Sequence, residues 1–90
     1  MSEDAIWLDG NAIAGLLVEV FGTELTGARR ACQSCGTRAL VGAHRVYRGV
    51  GTVVRCPACG DVAMRITTLP DRHLVLLAGT WEVEFPVPQA

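Results

Sequence analysis

A small metal-bound α+β fold is predicted by three features of this 90-residue chain. Two Cys-x2-Cys pairs are separated by residues 36–55, an apolar stripe at helical spacing occupies residues 9–21, and short β-rich segments follow up to residue 85. The architecture these imply is an N-terminal amphipathic helix followed by a zinc-ribbon-like antiparallel β-sheet. The boundaries read as a helical region over 1–22 that packs on the ribbon or on a partner, a ribbon with C-terminal strands over 23–85, and a tail over 86–90, all within one domain. A chain this short buries only roughly 60% of the surface its unfolded form exposes, so it tends to need a staple such as a metal or a disulfide. Half of the residues are hydrophobic and the mean hydropathy is +0.32. That excludes a disordered tail and leaves apolar surface available to a partner.

The helix comes first. In DGNAIAGLLVEVF, Ile13, Leu16, Leu17, Val20 and Phe21 fall at i, i+3, i+4, i+7 and i+8, which is one continuous stripe. Asp9 or Asn11 can cap its start, Gly22 ends it, and Ile6, Trp7 and Leu8 are placed to staple its beginning. The stripe covers the domain's own sheet or docks on another protein, with Leu16 and Phe21 as the docking residues in the second case. Residues 23–30 read as a connector or short strand. Residues 39–48 (ALVGAHRVYR) and 50–55 (VGTVVR) read as a hairpin turning near Gly49–Gly51. VAMRITTL at 62–69 is a further strand, Pro70–Asp71–Arg72 a turn, and HLVLLA at 73–78 a strand apolar enough for burial on both faces. Residues 80–85 alternate, with Trp81, Val83 and Phe85 on one side and Glu82 and Glu84 on the other. Pro86 and Pro88 end the pairing.

Cys32, Cys35, Cys56 and Cys59 form the pattern C-x2-C-x20-C-x2-C. Two residues between thiolates let both sulfurs reach one ion from a tight turn, and each pair then supplies half of a tetrahedron. Gly36 and Gly60 follow the second cysteine of each pair, where a left-handed backbone turns amide N–H groups towards the sulfurs. Pro57 pre-sets one of the turns. Zinc is the expected metal, and iron in a rubredoxin-like site is the lesser alternative. Arg30, Arg38 and Arg55 lie near enough in sequence to offset the −2 charge of a tetrathiolate site.

The net charge is −1, but the signs are segregated. Residues 1–28 contain Glu3, Asp4, Asp9, Glu19 and Glu24 and no basic residue. Residues 29–55 contain Arg29, Arg30, Arg38, Arg45, Arg48 and Arg55 and no acidic one. An acidic helix beside a basic lobe is an electrostatic pattern suited to docking. The opening MSEDA is acidic where a secretory signal needs positive charge, and the apolar run over 12–21 falls short of the ~20 residues of a membrane span. The chain is therefore read as cytoplasmic and without a membrane partner, where four cysteines indicate a metal site rather than disulfides. Four cysteines close a coordination sphere that a catalytic zinc would keep open. Of the two histidines, His44 reads as structural or surface and His73 as solvated. GVGTV at 49–53 lacks the Lys-Ser/Thr of a phosphate loop.

LDGNAIAGLLVEVFG, CxxCG, HRVYRG and RCPACG, in that order, make the chain resemble an uncharacterised family of small actinobacterial zinc-ribbon proteins, a domain of unknown function. The resemblance runs from about Leu8 to Trp81 and assigns no activity to Asp9, Gly10, Asn11, the cysteines or Tyr47–Arg48–Gly49. Through its association with redox enzymes it implies an oxidoreductase as partner. Three readings follow. The leading one is a non-enzymatic zinc-ribbon accessory protein that mediates protein–protein interaction. The second is a nucleic-acid-binding ribbon in which Arg45, Arg48 and Arg55 contact phosphates and Tyr47 stacks. The third is an iron electron carrier.

Overall fold

The computed structural model of the chain describes residues 7–88. Ile6, Glu3 and Asp4, named above, lie outside those residues. The described part contains strands β1 (Leu8–Asp9), β2 (Arg29–Ala31), β3 (Arg38–Leu40), β4 (Arg45–Arg48), β5 (Thr52–Arg55), β6 (Val62–Thr68), β7 (His73–Leu77) and β8 (Thr80–Glu82), with one α-helix, α1 (Ala14–Phe21). All strand pairings are antiparallel, in a five-stranded sheet ordered β1-β4-β5-β6-β7 and a three-stranded sheet ordered β3-β2-β8. The fold is thus a small α+β arrangement.

The helical segment differs from the expected one. Leu8 and Asp9 pair with Val46 and Arg45 of β4, so the chain is still extended where capping was expected. A 3-10 turn at Gly10–Ile13 follows, and α-helical geometry begins only at Ala14. No side chain caps either start; Asn11 lies instead against Gly42. Trp7 and Leu8 are exposed at the sheet end rather than stapled to the helix. The stop is as expected: Gly22 is left-handed at φ 74°, and its N–H donates to the Val18 carbonyl at 2.8 Å.

The stripe itself points inward. Ile13 and Leu17 are buried with Leu25, Val41, Val46, Val54, Met64 and Ile66, and Leu16, Val20 and Phe21 pack at the margin of this cluster. Burying Leu17 completely is worth about 1.5–3 kcal/mol, so the helix is held mainly by this face.

Two strand expectations are corrected. Residues 39–48 are not one strand: a 3-10 turn at Val41–Ala43 divides them, sending β3 to the small sheet and β4 to the large one. The break coincides with a close approach of two backbones. A Cβ on Gly10 would sit 2.1 Å from the Val41 carbonyl oxygen, and one on Gly42 would sit 2.5 Å from Asn11 Oδ1. Of residues 73–78, His73–Leu77 do form a strand, but one at the edge of the sheet. Leu74, Val75, Leu76 and Leu77 are 50%, 38%, 57% and 48% exposed; α1 reaches β7 at its first residue, where Glu19 Oε2 lies 3.5 Å from His73 Nε2. The alternating segment at 80–85 pairs only over Thr80–Glu82, against β2, with Trp81 and Val83 half-buried and Phe85 exposed. No helix among the described residues is long and apolar enough to cross a membrane.

Candidate metal centre

Each cysteine pair occupies the turn of an antiparallel connection. Cys32 and Cys35 join β2 to β3, and Cys56 and Cys59 join β5 to β6. The two turns are built alike. Cys32 N–H donates to Thr37 O (2.9 Å) and Gly36 N–H to Cys32 O (3.1 Å); Cys56 N–H donates to Asp61 O (2.8 Å) and Gly60 N–H to Cys56 O (3.0 Å). Gly36 and Gly60 have φ of 77° and 81°, which the left-handed turn after each pair requires. Inside each turn a backbone amide addresses the first sulfur: Ser34 N–H and Ala58 N–H each lie 3.4 Å from Cys32 Sγ and Cys56 Sγ respectively.

The two sheets bring these turns face to face, and all four sulfurs lie within 4.8 Å of one another. Cys32 Sγ is 3.6 Å from Cys59 Sγ, and Cys35 Sγ is 3.7 Å from Cys56 Sγ. A tetrahedral ion with sulfur ligands at about 2.3 Å needs sulfur–sulfur edges of about 3.8 Å, so the cluster has the size of a four-thiolate metal site. These contacts are far too long for disulfides, and the four cysteines are free. Cys32 and Cys56 are buried, whereas Cys35 and Cys59 are exposed. Amides of Cys35 and Ser34 lower the Cys32 thiol to about 6. The Thr37 hydroxyl and amide lower that of Cys35. The amide of Asp61 favours the Cys59 thiolate too, but partial loss of hydration and the neighbouring cysteines outweigh it and push the group up to about 12. Without a cation the cluster cannot carry four negative charges; a divalent ion bound there would take the place of the thiol protons.

A polar clasp joins the turns, and the sequence did not announce it. Asp61 accepts hydrogen bonds from Ser34 Oγ and from Gln33 Nε2 (2.9 Å), and its other oxygen accepts from Val62 N–H (2.9 Å). These contacts hold the Asp61 carboxyl below its ordinary range, the Ser34 hydroxyl contributing most. Gln33 in turn accepts from Arg30, whose guanidinium is buried, donates to the Ala78 carbonyl (2.9 Å), lies 3.3 Å from His44 Nε2 and stacks on Trp81 at 5.8 Å. With Arg30 donating, His44 Nε2 is an acceptor and Nδ1–H donates to Leu40 O (2.9 Å), which fixes a neutral tautomer. The only signal for the clasp was compositional: the first pair encloses Gln-Ser, the second Pro-Ala.

The arginines expected beside the sulfurs are distributed differently. Arg55 donates to Gly60 O at 2.9 Å and so braces the second turn. Arg30 acts through Gln33. Arg38 faces away and pairs with Glu82 at 3.1 Å. Among the residues expected to meet a partner, strand pairing puts Arg45, Tyr47 and Arg55 on the outer face of the large sheet, opposite the helix. Arg48 lies on the other side of the pleat, in line with Val46. Leu16 and Phe21 are half-buried against the core. The structure adds two members to the outer face. Arg65 is brought alongside Val53 by the β5–β6 register, and the Trp7 ring lies 5.2 Å from the Arg45 guanidinium, as Tyr47 lies 5.8 Å from that of Arg55.

A family model described as a family of unknown function (DUF6510) matches residues 2–88. No curated protein and no solved structure matches the chain.

Proposed function

The chain belongs to this family of unknown function, and we propose that it is a non-enzymatic accessory protein, a zinc ribbon in which the metal holds the fold and the outer face of the large sheet binds another protein. The observation that carries this reading is the closed set of four sulfurs on two matching turns. Such a set satisfies a zinc ion completely and offers no coordination position for a substrate. Zinc chemistry there is structural: the ion replaces the thiol protons and locks the two sheets together, while the clasp of Gln33, Ser34 and Asp61 orients the turns.

The binding role rests on the outer face. Arg45, Arg55 and Arg65 stand on three neighbouring strands beside Tyr47 and Trp7. An acidic surface is the complement of such a face. An oxidoreductase with an acidic docking patch, in the cytoplasm, is the partner class proposed. Native co-purification with mass spectrometry and metal analysis of the same sample tests this. Zinc with a stoichiometric protein partner that is lost on Arg45→Glu and Arg65→Glu supports it; recovery of the chain alone contradicts it. The pairing of guanidinium groups with aromatic rings on an open sheet also favours a second reading, single-stranded nucleic acid, in which phosphates meet the arginines and bases stack on the rings. Retardation of a labelled oligonucleotide that weakens steeply with salt would select it. A red, iron-containing preparation would point instead to electron transfer.

A further inference from the structure

Among the described residues β7 is the longest unpaired sheet edge, five residues against two in β1 and three each in β3 and β8. Its hydrogen-bond parity follows from the bonds that flank it. Ala78 N–H donates to Ala63 O (3.0 Å) and Leu69 N–H to Arg72 O (2.7 Å), with Leu77 opposite Met64 and His73 opposite Thr68. Leu74 and Leu76 therefore turn their amides and carbonyls towards β6, and His73, Val75 and Leu77 turn theirs outward. Leu74 and Leu76 place side chains on the outer face, Val75 and Leu77 on the helix side, and all four are exposed by more than a third. Natural edges of this kind are guarded by charges, prolines or bulges. β7 has no proline, bulge, lysine, arginine or acid, and its one titratable side chain, His73, is turned to Glu19 of α1 at 3.5 Å.

We propose that a second copy of this chain pairs with β7, antiparallel, about a two-fold axis through Val75. In that register His73 faces Leu77 of the second copy, Leu74 faces Leu76, and Val75 faces Val75. Every outward-turned residue then meets another outward-turned residue, whereas a slip of one residue would set free amides against groups already bonded to β6. Charge permits the register as well. Arg72 falls against Ala78 and Asp71 against Gly79, so no like charges are opposed. The contact is isologous and closed, which ends the assembly at two copies along this edge. Paired residues share a face, so Leu74 and Leu76 of both copies fill the seam of one continuous sheet, and the Arg45–Arg55–Arg65 faces lie on the same side. The partly exposed side chains of one short strand amount to much less than the ~800 Å² per partner of a standard interface, so the dimer is concentration-dependent.

Sedimentation velocity of the zinc-loaded full chain from about 1 µM to 1 mM tests this. The native chain is expected to pass from monomer to dimer over that range. L74K/L76K opposes lysine to lysine at both outer cross-strand positions and is expected to weaken association at least about tenfold. L74E/L76K opposes glutamate to lysine there and restores it. Both variants carry the same lysine at 76, opposite Arg65, and differ only at 74, opposite the neutral Thr67, so the comparison between them is insensitive to any shared loss of stability. Monomer throughout the native series, a dimer indifferent to L74K/L76K, or equal association of the two variants would each overturn the proposal.

Discussion

Gly10→Ala and Gly15→Ala make the same chemical change five residues apart and should move stability in opposite directions. A Cβ at residue 10 would lie 2.1 Å from the Val41 carbonyl oxygen and 2.9 Å from Gly42 Cα, where ordinary contact begins near 3.4 Å. The two 3-10 turns would have to part by 1.3 Å, the difference between 3.4 and 2.1. The Val41 segment cannot retreat freely. Val41 N–H is bonded to Ala28 O, Gly42 N–H to Thr26 O, and the Val41 carbonyl itself accepts from His44 N–H. Val41 is also fully buried. Overpacking against fixed backbone costs about 2–3 kcal/mol, and in a domain of this length that lowers the melting temperature by about 10–20 °C. At Gly15, on the exposed side of α1, an added Cβ meets nothing within 4 Å. Removing the backbone freedom of a helical glycine there is worth about 0.5–1 kcal/mol of added stability, a rise of a few degrees. Thermal melts of the zinc-loaded proteins by circular dichroism read both effects. A Gly10→Ala protein that melts with the native one, or two shifts of the same sign, would refute the reasoning about the Gly10–Val41 contact.

Two further outcomes follow from the groups around the sulfurs. Asp61→Ala removes the acceptor shared by Ser34 and Gln33 while leaving all four ligands; loss of an outer partner of this kind costs about 10–100-fold in metal affinity, so a chelator competition should show at least a tenfold drop, and unchanged affinity would exclude the clasp as a support of the site. Burial, reinforced by Arg30 and only partly offset by the Leu40 carbonyl, holds His44 below its ordinary value of 6.5. The unfolded chain therefore takes up this proton first, and the contribution of His44 is complete above about pH 6.5 and declines as pH falls from there through the lower folded-state value. Denaturant titrations at pH 7.5 and 5.5 should show a smaller loss on acidification in His44→Gln than in the native chain; equal losses would contradict the buried neutral tautomer.

The parts of this fold that were legible in the sequence were those with local causes. The Cys-x2-Cys-Gly turns repeat a fixed spacing whose geometry is set within six residues, and both formed as expected. The stripe from Ile13 to Phe21 has a period that only a helix satisfies, and Gly22 stopped it. The misread parts depend on partners distant in sequence. The run 39–48 looks like one strand until Gly10 and Asn11 arrive against Val41 and Gly42 and break it. Apolar content suggested that residues 73–78 are buried on both faces, but composition cannot say whether a strand is central or at an edge. Arg45, Tyr47 and Arg55 share a face because the hairpin register puts them there, and that register also excluded Arg48. Arg65 was overlooked because it joins the face only through a strand that follows the second cysteine pair. The clasp of Gln33, Ser34 and Asp61 spans the two turns, so neither turn alone revealed it.

Metal content and metal-dependent folding, measured on one preparation purified under reducing conditions, test the central claim most directly. The four sulfurs within 4.8 Å are expected to hold one zinc per chain, to resist thiol reagents while it is bound, and to lose it to a strong chelator together with the cooperative melt. Structural zinc binding is worth about 10–16 kcal/mol in small peptides, against about 5–15 kcal/mol of net stability for a typical domain, so the metal-free chain should not retain the fold. A chain that purifies without metal, or one whose cooperative melt is unchanged after the metal is removed, would contradict the account.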